Sequence, residues 1–316
     1  MSSKLALIFP GQGSQYLGMG RDLYERYPGA KSLFDQADRI LGIELSRLCF
    51  EGPEQELHDT INTQPAILTT SLAALQSLKS VHDLGEIAFA AGHSLGEYTA
   101  LVAAGRLSFP DALRLVQERG RLMKEAGKRR PGGMAAVLGL AAKLVNEACQ
   151  QASEETQAII QVANYNSPSQ IVISGEHRGL EKAMELVREI GARRVVRLAV
   201  SISSHCPLME SAAHGLRRSV ASVVVGEGSV SVIGNVTAKP LRTAQAVRAE
   251  ILKQLVSPVQ WADSVRYMLD HGVTAFVEIG PKDVLARLIR RIDRAAGTTS
   301  VGDVAGIEAW HQGVRT

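Results

Sequence analysis

The stretch IAFAAGHSLGEYTALVAAG, residues 87–105, constrains the chain more than any other. An apolar run enters Gly92-His93-Ser94-Leu95-Gly96 and leaves directly into a small-residue helix, the context that a nucleophile elbow requires. Glycines two residues before and after the serine permit the tight strand-to-helix turn. That turn lifts the Ser94 hydroxyl above the sheet and points the Leu95 N–H at any carbonyl oxygen bound there. The dipole of the following helix adds positive potential at the same place. The same glycine spacing also occurs in purely structural turns; a strand before it and a helix after it favour the catalytic reading.

A second glycine-rich loop, LIFPGQGSQYLGMG at residues 7–20, invites a nucleotide-binding reading. Counting removes it. A dinucleotide fingerprint from Gly11 needs a third glycine where Tyr16 stands, and a Walker loop from Gly13 reaches Gly18 but meets Met19 in place of lysine. What remains is a strand end followed by closely spaced backbone N–H groups, suited to any developing negative charge.

Strand-like and helical runs alternate along the chain: a strand at 5–9, helices near 20–27 and 65–80, a strand at 87–91 and a helix at 95–104. This rhythm predicts an α/β protein with a mainly parallel sheet. After GKRRPGG (127–133) the pattern changes to strand 134–140, helix 142–152, strands 158–163 and 170–174 around the turn NYNSPS, helix 178–190 and strand 193–200. That order is ferredoxin-like. Strands near 229–233 and 274–279 and a basic helix after Pro281 then resume the first pattern. The expected organisation is a large unit of residues 1–127 and 200–316 with a small unit, 128–199, inserted. The last dozen residues read as a loosely held tail.

At 316 residues, 45% hydrophobic and 21% charged, the chain can bury a large core as an ordinary soluble protein. A formal net charge of +3 is too small to imply nucleic-acid binding, and the local Lys/Arg clusters read as solvated helix faces. Cys49, Cys149 and Cys206 are odd in number, far apart and without metal-ligand spacing, so a reducing cytoplasm without disulfides or metal is expected. No segment is long enough for a signal-peptide core or a membrane span.

A serine nucleophile needs a base. The candidates are His58, His82, His93, His177, His205, His214, His271 and His311. His93 adjoins the serine in the turn, where neighbouring side chains diverge, and reads as a brace for the elbow. His205, in AVSISSHCPLM, follows the return to the large unit at a strand end, where active-site loops of a sheet cluster. It is preferred over the others, with a structural histidine as the alternative. Its neighbour Cys206 points away, and the elbow supplies the better nucleophile. No Asp or Glu stands out at a strand end between Ser94 and His205 to orient the histidine, so a backbone carbonyl could fill that role. Arg119 lies on a helix expected over 111–127; from the residues alone, a surface arginine paired with Glu118 or Glu125 is the favoured reading.

Taken together, FPGQGSQ (9–15), TQPA (63–66), GHSLGEY (92–98), RG (119–120), NSPSQIVISG (166–175), SSHC (203–206), SPVQW (257–261) and EIGP (278–281) span nearly the whole chain. In order and spacing they resemble the malonyl-CoA:acyl carrier protein transacylases of fatty-acid synthesis, kin of polyketide acyltransferase domains. The resemblance implies an α/β-hydrolase-like large domain with a ferredoxin-like insert. It implies Ser94 as nucleophile, His205 as general base and acid, and Arg119 as the cation that binds the malonyl carboxylate. It further implies an oxyanion hole from the N–H groups of Gln12 and Leu95, and the carbonyl of Gln260 as the group orienting His205. Malonyl-CoA would be the donor and the phosphopantetheine thiol of acyl carrier protein the acceptor, with no bound cofactor, and a monomer is expected. The chain departs from the family at Lys282-Asp283, where a further glycine often follows EIGP. Ser204, before the histidine, leaves a polyketide acyltransferase using malonyl or methylmalonyl as an alternative. A serine thioesterase sharing the elbow would differ by releasing CoA rapidly without a carrier thiol; a non-catalytic docking module would not need Ser94, His205 and Arg119 together.

Overall fold

The computed structural model describes residues 4–200 and 202–313, and from 311 onward the backbone alone. Among the described residues the strands are β1 (Lys4–Phe9), β2 (Ile87–Gly92), β3 (Gly132–Leu138), β4 (Ile160–Ser167), β5 (Gln170–Glu176), β6 (Arg194–Arg197), β7 (Ser231–Ile233), β8 (Val273–Ile279) and β9 (Gly297–Val301). They form two sheets. The first has the order β7-β2-β1-β8-β9 and every pair in it is parallel. In β1 the residues Leu5 to Phe9 are all buried, as befits a strand covered on both faces. Its alternation divides them: Leu5, Leu7 and Phe9 join the core under one layer of helices, Ala6 and Ile8 the core under the other.

The second sheet, β4-β5-β3-β6, is antiparallel. Helices Ala142–Thr156 and His177–Glu189 pack on one face of it through Val145, Cys149, Leu180 and Val187. Its edge strand β4 is tied to the rest of the molecule where Tyr165 N–H donates to Val259 O (2.9 Å) and Val259 N–H to Ala163 O (2.8 Å). Mixed α/β architecture with a parallel sheet, expected from the alternation, is what the chain adopts, and an antiparallel sheet stands beside it. No described helix is long and apolar enough to cross a membrane.

Several boundaries differ from expectation for local reasons. The helix expected from Pro65 begins five residues earlier, at Thr60, because Asp59 caps it by accepting from Ile61 N–H (3.2 Å); Pro65 is carried inside the helix. The turn NYNSPS contracts, since pairing of β4 with β5 continues to Ser167↔Gln170. β6 stops at Arg197 rather than running to 200. As far as residue 313 the expected loose tail is a helix, Val304–Gly313, whose Ile307 and Trp310 are buried three residues apart on one face; residues 314–316 of that tail lie outside the described residues. Asp22 holds its start by accepting from Val304 N–H at 2.7 Å.

Candidate active site

β1 sits in the middle of the parallel sheet with β2 on one side and β8 on the other, so the loops leaving their C-terminal ends emerge side by side. The FPGQGSQ loop follows β1, the elbow follows β2, and His93 N–H donates back to Phe9 O (3.1 Å) between them. The elbow is as tight as its glycines allow. A Cβ on Gly92 would lie 1.9 Å from the Gly96 carbonyl carbon, and one on Gly96 would lie 2.0 Å from Phe9 O. Ser94 itself is held at φ +52°, left-handed backbone that a serine rarely adopts and that the surroundings must enforce.

Asn235, buried just after β7, supplies much of that enforcement. Its Oδ1 accepts from Ser94 N–H (2.7 Å), its Nδ2 donates to Gly92 O (2.7 Å), and its own N–H donates to Glu97 (2.7 Å). Gln254 Nε2 completes the clamp by donating to Ser94 O at 3.0 Å.

His205 meets the serine across 111 residues of sequence. Its Nε2 lies 2.8 Å from Ser94 Oγ, and its Nδ1–H donates to the backbone carbonyl of Gln254 at 2.8 Å. The second bond places the proton on Nδ1 and leaves Nε2 bare toward the hydroxyl, the tautomer a general base needs. The orienting carbonyl is therefore that of Gln254, not of Gln260. Gln260 begins the helix Trp261–Asp270, and its carbonyl accepts from Ser264 N–H and Ser264 Oγ instead. His205 is only 2% exposed, and burial, with Arg119 adding in the same direction, pulls its pKa from the ordinary 6.5 to about 3.

Arg119 departs furthest from the reading of the residues alone. It lies on the helix Phe109–Arg129, 1% exposed. Its Nη2 donates to Ser94 Oγ (3.1 Å) and Gln254 Oε1 (2.9 Å), and its Nη1 donates to Gln64 Oε1 (2.7 Å). The ion pairs with Glu118 and Glu125 belong to its neighbour Arg121. Gly120 explains how the arginine gets so close: a Cβ there would lie 2.6 Å from Thr60 O, so only glycine lets the two helices touch. Arg119 takes part in no ion pair among the described residues; its acceptors are neutral, with the Tyr98 ring 5.6 Å from its Cζ. The carboxyl whose field it feels, Glu97, is pushed well above the usual carboxylate range by burial, with Glu250 adding in the same direction. A buried cation with only neutral acceptors around it is costly.

A family model described as an acyl transferase domain matches residues 6–313. The chain belongs to this family. It is 45% identical over 306 residues to the malonyl CoA-acyl carrier protein transacylase of Bacillus subtilis (strain 168), covering 97% of this chain and 96% of that one. Among solved structures it resembles the crystal structure of MCAT from Streptococcus pneumoniae, with TM-score 0.92, 40% identity, and 98% and 99% of the two chains covered. It also resembles PlMCAT, the malonyl-transacylase in a complex with the type II PKS acyl-carrier protein AntF, at TM-score 0.93 and 39% identity over 97% and 98% of the two chains.

The Gln12 and Leu95 N–H groups, from the loop after β1 and from the elbow, have no acceptor among the described residues. Gln12 is held by its side chain, Oε1 accepting from Thr60 Oγ1 (2.9 Å), which in turn accepts from Gln64 Nε2 (2.9 Å). One chain of hydrogen bonds thus runs from Arg119 through Gln64 and Thr60 to Gln12. Of the other histidines, His93 donates from Nε2 to Asn166 Oδ1 (2.8 Å) and rests against Trp261, a brace as expected. His82 is bonded to Ile307 O and His271 to Tyr267 O, His58 and His214 are exposed, and His177 starts a helix of the antiparallel unit. The side chain of His311 lies outside the described residues. The Cys206 thiol is engaged elsewhere, donating to Ser203 O (3.2 Å). The sequence assigns no role to Gln64, which lies within TQPA, or to Asn235 and Gln254. Each is a buried polar residue, and Gln64 lies in a helix buried along nearly its whole length, a signal that a partner waits for it.

Proposed function

We propose that the protein transfers a malonyl group from malonyl-CoA to the phosphopantetheine thiol of an acyl carrier protein through a Ser94 ester. The observation that carries the reading is the placement of Ser94 Oγ: 2.8 Å from an oriented imidazole and 3.1 Å from a buried arginine with no carboxylate of its own. Malonyl-CoA brings that carboxylate. A guanidinium fork matches it with two charge-assisted hydrogen bonds and sets the thioester carbon at the serine. His205 Nε2 takes the hydroxyl proton as Oγ attacks, and the Gln12 and Leu95 N–H groups receive the charge that develops on the carbonyl oxygen. The imidazolium returns its proton to the CoA sulfur as the C–S bond breaks. The carrier thiol then attacks the ester by the same steps in reverse, giving its proton to His205 and freeing Ser94. The carbonyl that orients His205 stabilises imidazolium less than a carboxylate would, which disfavours activation of water and favours transfer over hydrolysis.

We read residues 1–127 with 200–316 as an α/β-hydrolase-like unit and 128–199 as a ferredoxin-like insert. The strand order β4-β5-β3-β6 with its two helices on one face supports the second description. A cytoplasmic monomer is the state in which we expect it to act.

Incubation with malonyl-CoA, without carrier protein, is expected to raise the intact mass by one malonyl group in an adduct that persists. Steady CoA release with no adduct would mark a thioesterase and overturn the reading.

The pH dependence follows from His205. The base works when neutral, and its neutral form persists until pH falls through about 3. Loading of Ser94 is therefore expected to stay level from pH 8 down to about 5, rather than halving near histidine's usual 6.5. The same depression costs stability as pH falls from about 6.5 toward 3, because the unfolded chain binds a proton that the folded one excludes. Rates are to be read alongside circular dichroism, within the range where the protein stays folded. A loading rate that halves near 6.5 would show that His205 is not held neutral by the site.

A further inference from the structure

We propose that Lys282 is a positioning residue that straps down the loop carrying the Gln12 N–H, an inference that rests on the acyl-transfer reading above. That loop is partly braced by its own hydrogen bonds. Gly11 O accepts from Ser14 N–H (3.3 Å) and Ser14 Oγ (2.8 Å), and Gly13 N–H donates to Gln15 Oε1 (2.7 Å). The carbonyls of Gly13 and Gln15 are both met by one ammonium. Lys282 Nζ lies 3.4 Å from Gly13 O and 3.0 Å from Gln15 O. The bond joins the loop after β8 to the loop after β1, so the outer side of the oxyanion loop is fixed from a neighbouring strand.

The backbone of Lys282 runs against local preference. Its φ is +66°, left-handed backbone where glycine is at ease and lysine is strained, and its side chain is exposed, so no core packing repays the strain. Nor is it engaged with its neighbour, because Asp283 pairs with Arg287 at 2.7 Å. The contact that does distinguish it is the pair of loop carbonyls. Holding them keeps the Gln12 N–H aimed at the reacting carbonyl and sets a positive charge beside the loop, of the sign that steadies a developing oxyanion.

The strain gives the test opposite signs for the two roles. Lys282→Gly relieves the backbone and cuts the strap, so the thermal midpoint is expected to hold or rise while kcat for malonyl loading falls about five- to tenfold, with KM for malonyl-CoA little changed. Lys282→Arg, which keeps charge and donors, is expected to recover at least half of the lost rate. An unchanged kcat in the glycine variant, a kcat that falls only together with the midpoint, or an arginine variant as slow as glycine would each overturn the inference. Failure of wild-type protein to load malonyl would instead overturn the underlying acyl-transfer reading.

Discussion

Alanine in place of Ser94 is expected to abolish the malonyl adduct and to lower kcat/KM for transfer to carrier protein by about 10⁴-fold or more. The oxygen that would carry the acyl group is removed, while the clamp on the Ser94 backbone through Asn235 and Gln254 stays in place. Alanine in place of His205 is expected to cost a similar factor by a different route, since the hydroxyl remains but its proton has no acceptor at 2.8 Å. Groups that act as one unit are not additive, so the double variant should be about as slow as either single one. Intact mass and steady-state rates on the three proteins decide this. If the double variant fell by the product of the two single losses, Ser94 and His205 would be acting independently, and His205 would not be the base for Ser94.

What could be read in the chain beforehand follows the range of the interactions concerned. The elbow is local: a strand, two glycines two residues either side of the serine, and a helix are all written within 87–105, and the structure has β2 ending at Gly92 and the helix Gly96–Ala103 beginning at once. The parallel sheet was legible from the alternation of strand-like and helical runs, and the buried run of β1 fits a strand covered on both faces. The orienting carbonyl was not. Every residue has a carbonyl, so side-chain identity cannot tell Gln254 from Gln260; the choice depends on where the helix Ala244–Gln254 ends relative to His205. Asn235 is likewise invisible, because its partners lie about 140 residues away at Ser94 and Gly92.

Arg119 is an intermediate case, since its signal was present and outweighed. On the helix Phe109–Arg129 it stands three residues after Val116 and four before Met123, in the centre of the buried stripe. Charge pairing argued for the surface, but Glu118 and Glu125 lie three and four residues from Arg121, which takes both. An arginine in the middle of an apolar stripe is better read as a buried cation than as a surface residue out of phase.

That placement sets the second large effect. Arg119→Ala is expected to lower malonyl loading by about 10²–10⁴-fold, because a carboxylate buried without its cation costs ~3–5 kcal/mol. Acetyl loading, which asks nothing of the guanidinium, should be unchanged or faster. The variant leaves Gln64 Oε1 and Gln254 Oε1 without their donor whichever thioester is offered, so the malonyl-to-acetyl ratio isolates the carboxylate contact. Arg119→Lys keeps a charge but not the fork and should fall between the two. Equal losses for malonyl and acetyl would make Arg119 a structural residue. A second readout comes from His205, whose pKa Arg119 helps to depress. Removing the cation should move the acid limb of acetyl loading upward in pH, and a limb that stayed put while the substrate ratio collapsed would show that carboxylate binding and tuning of the base are separable.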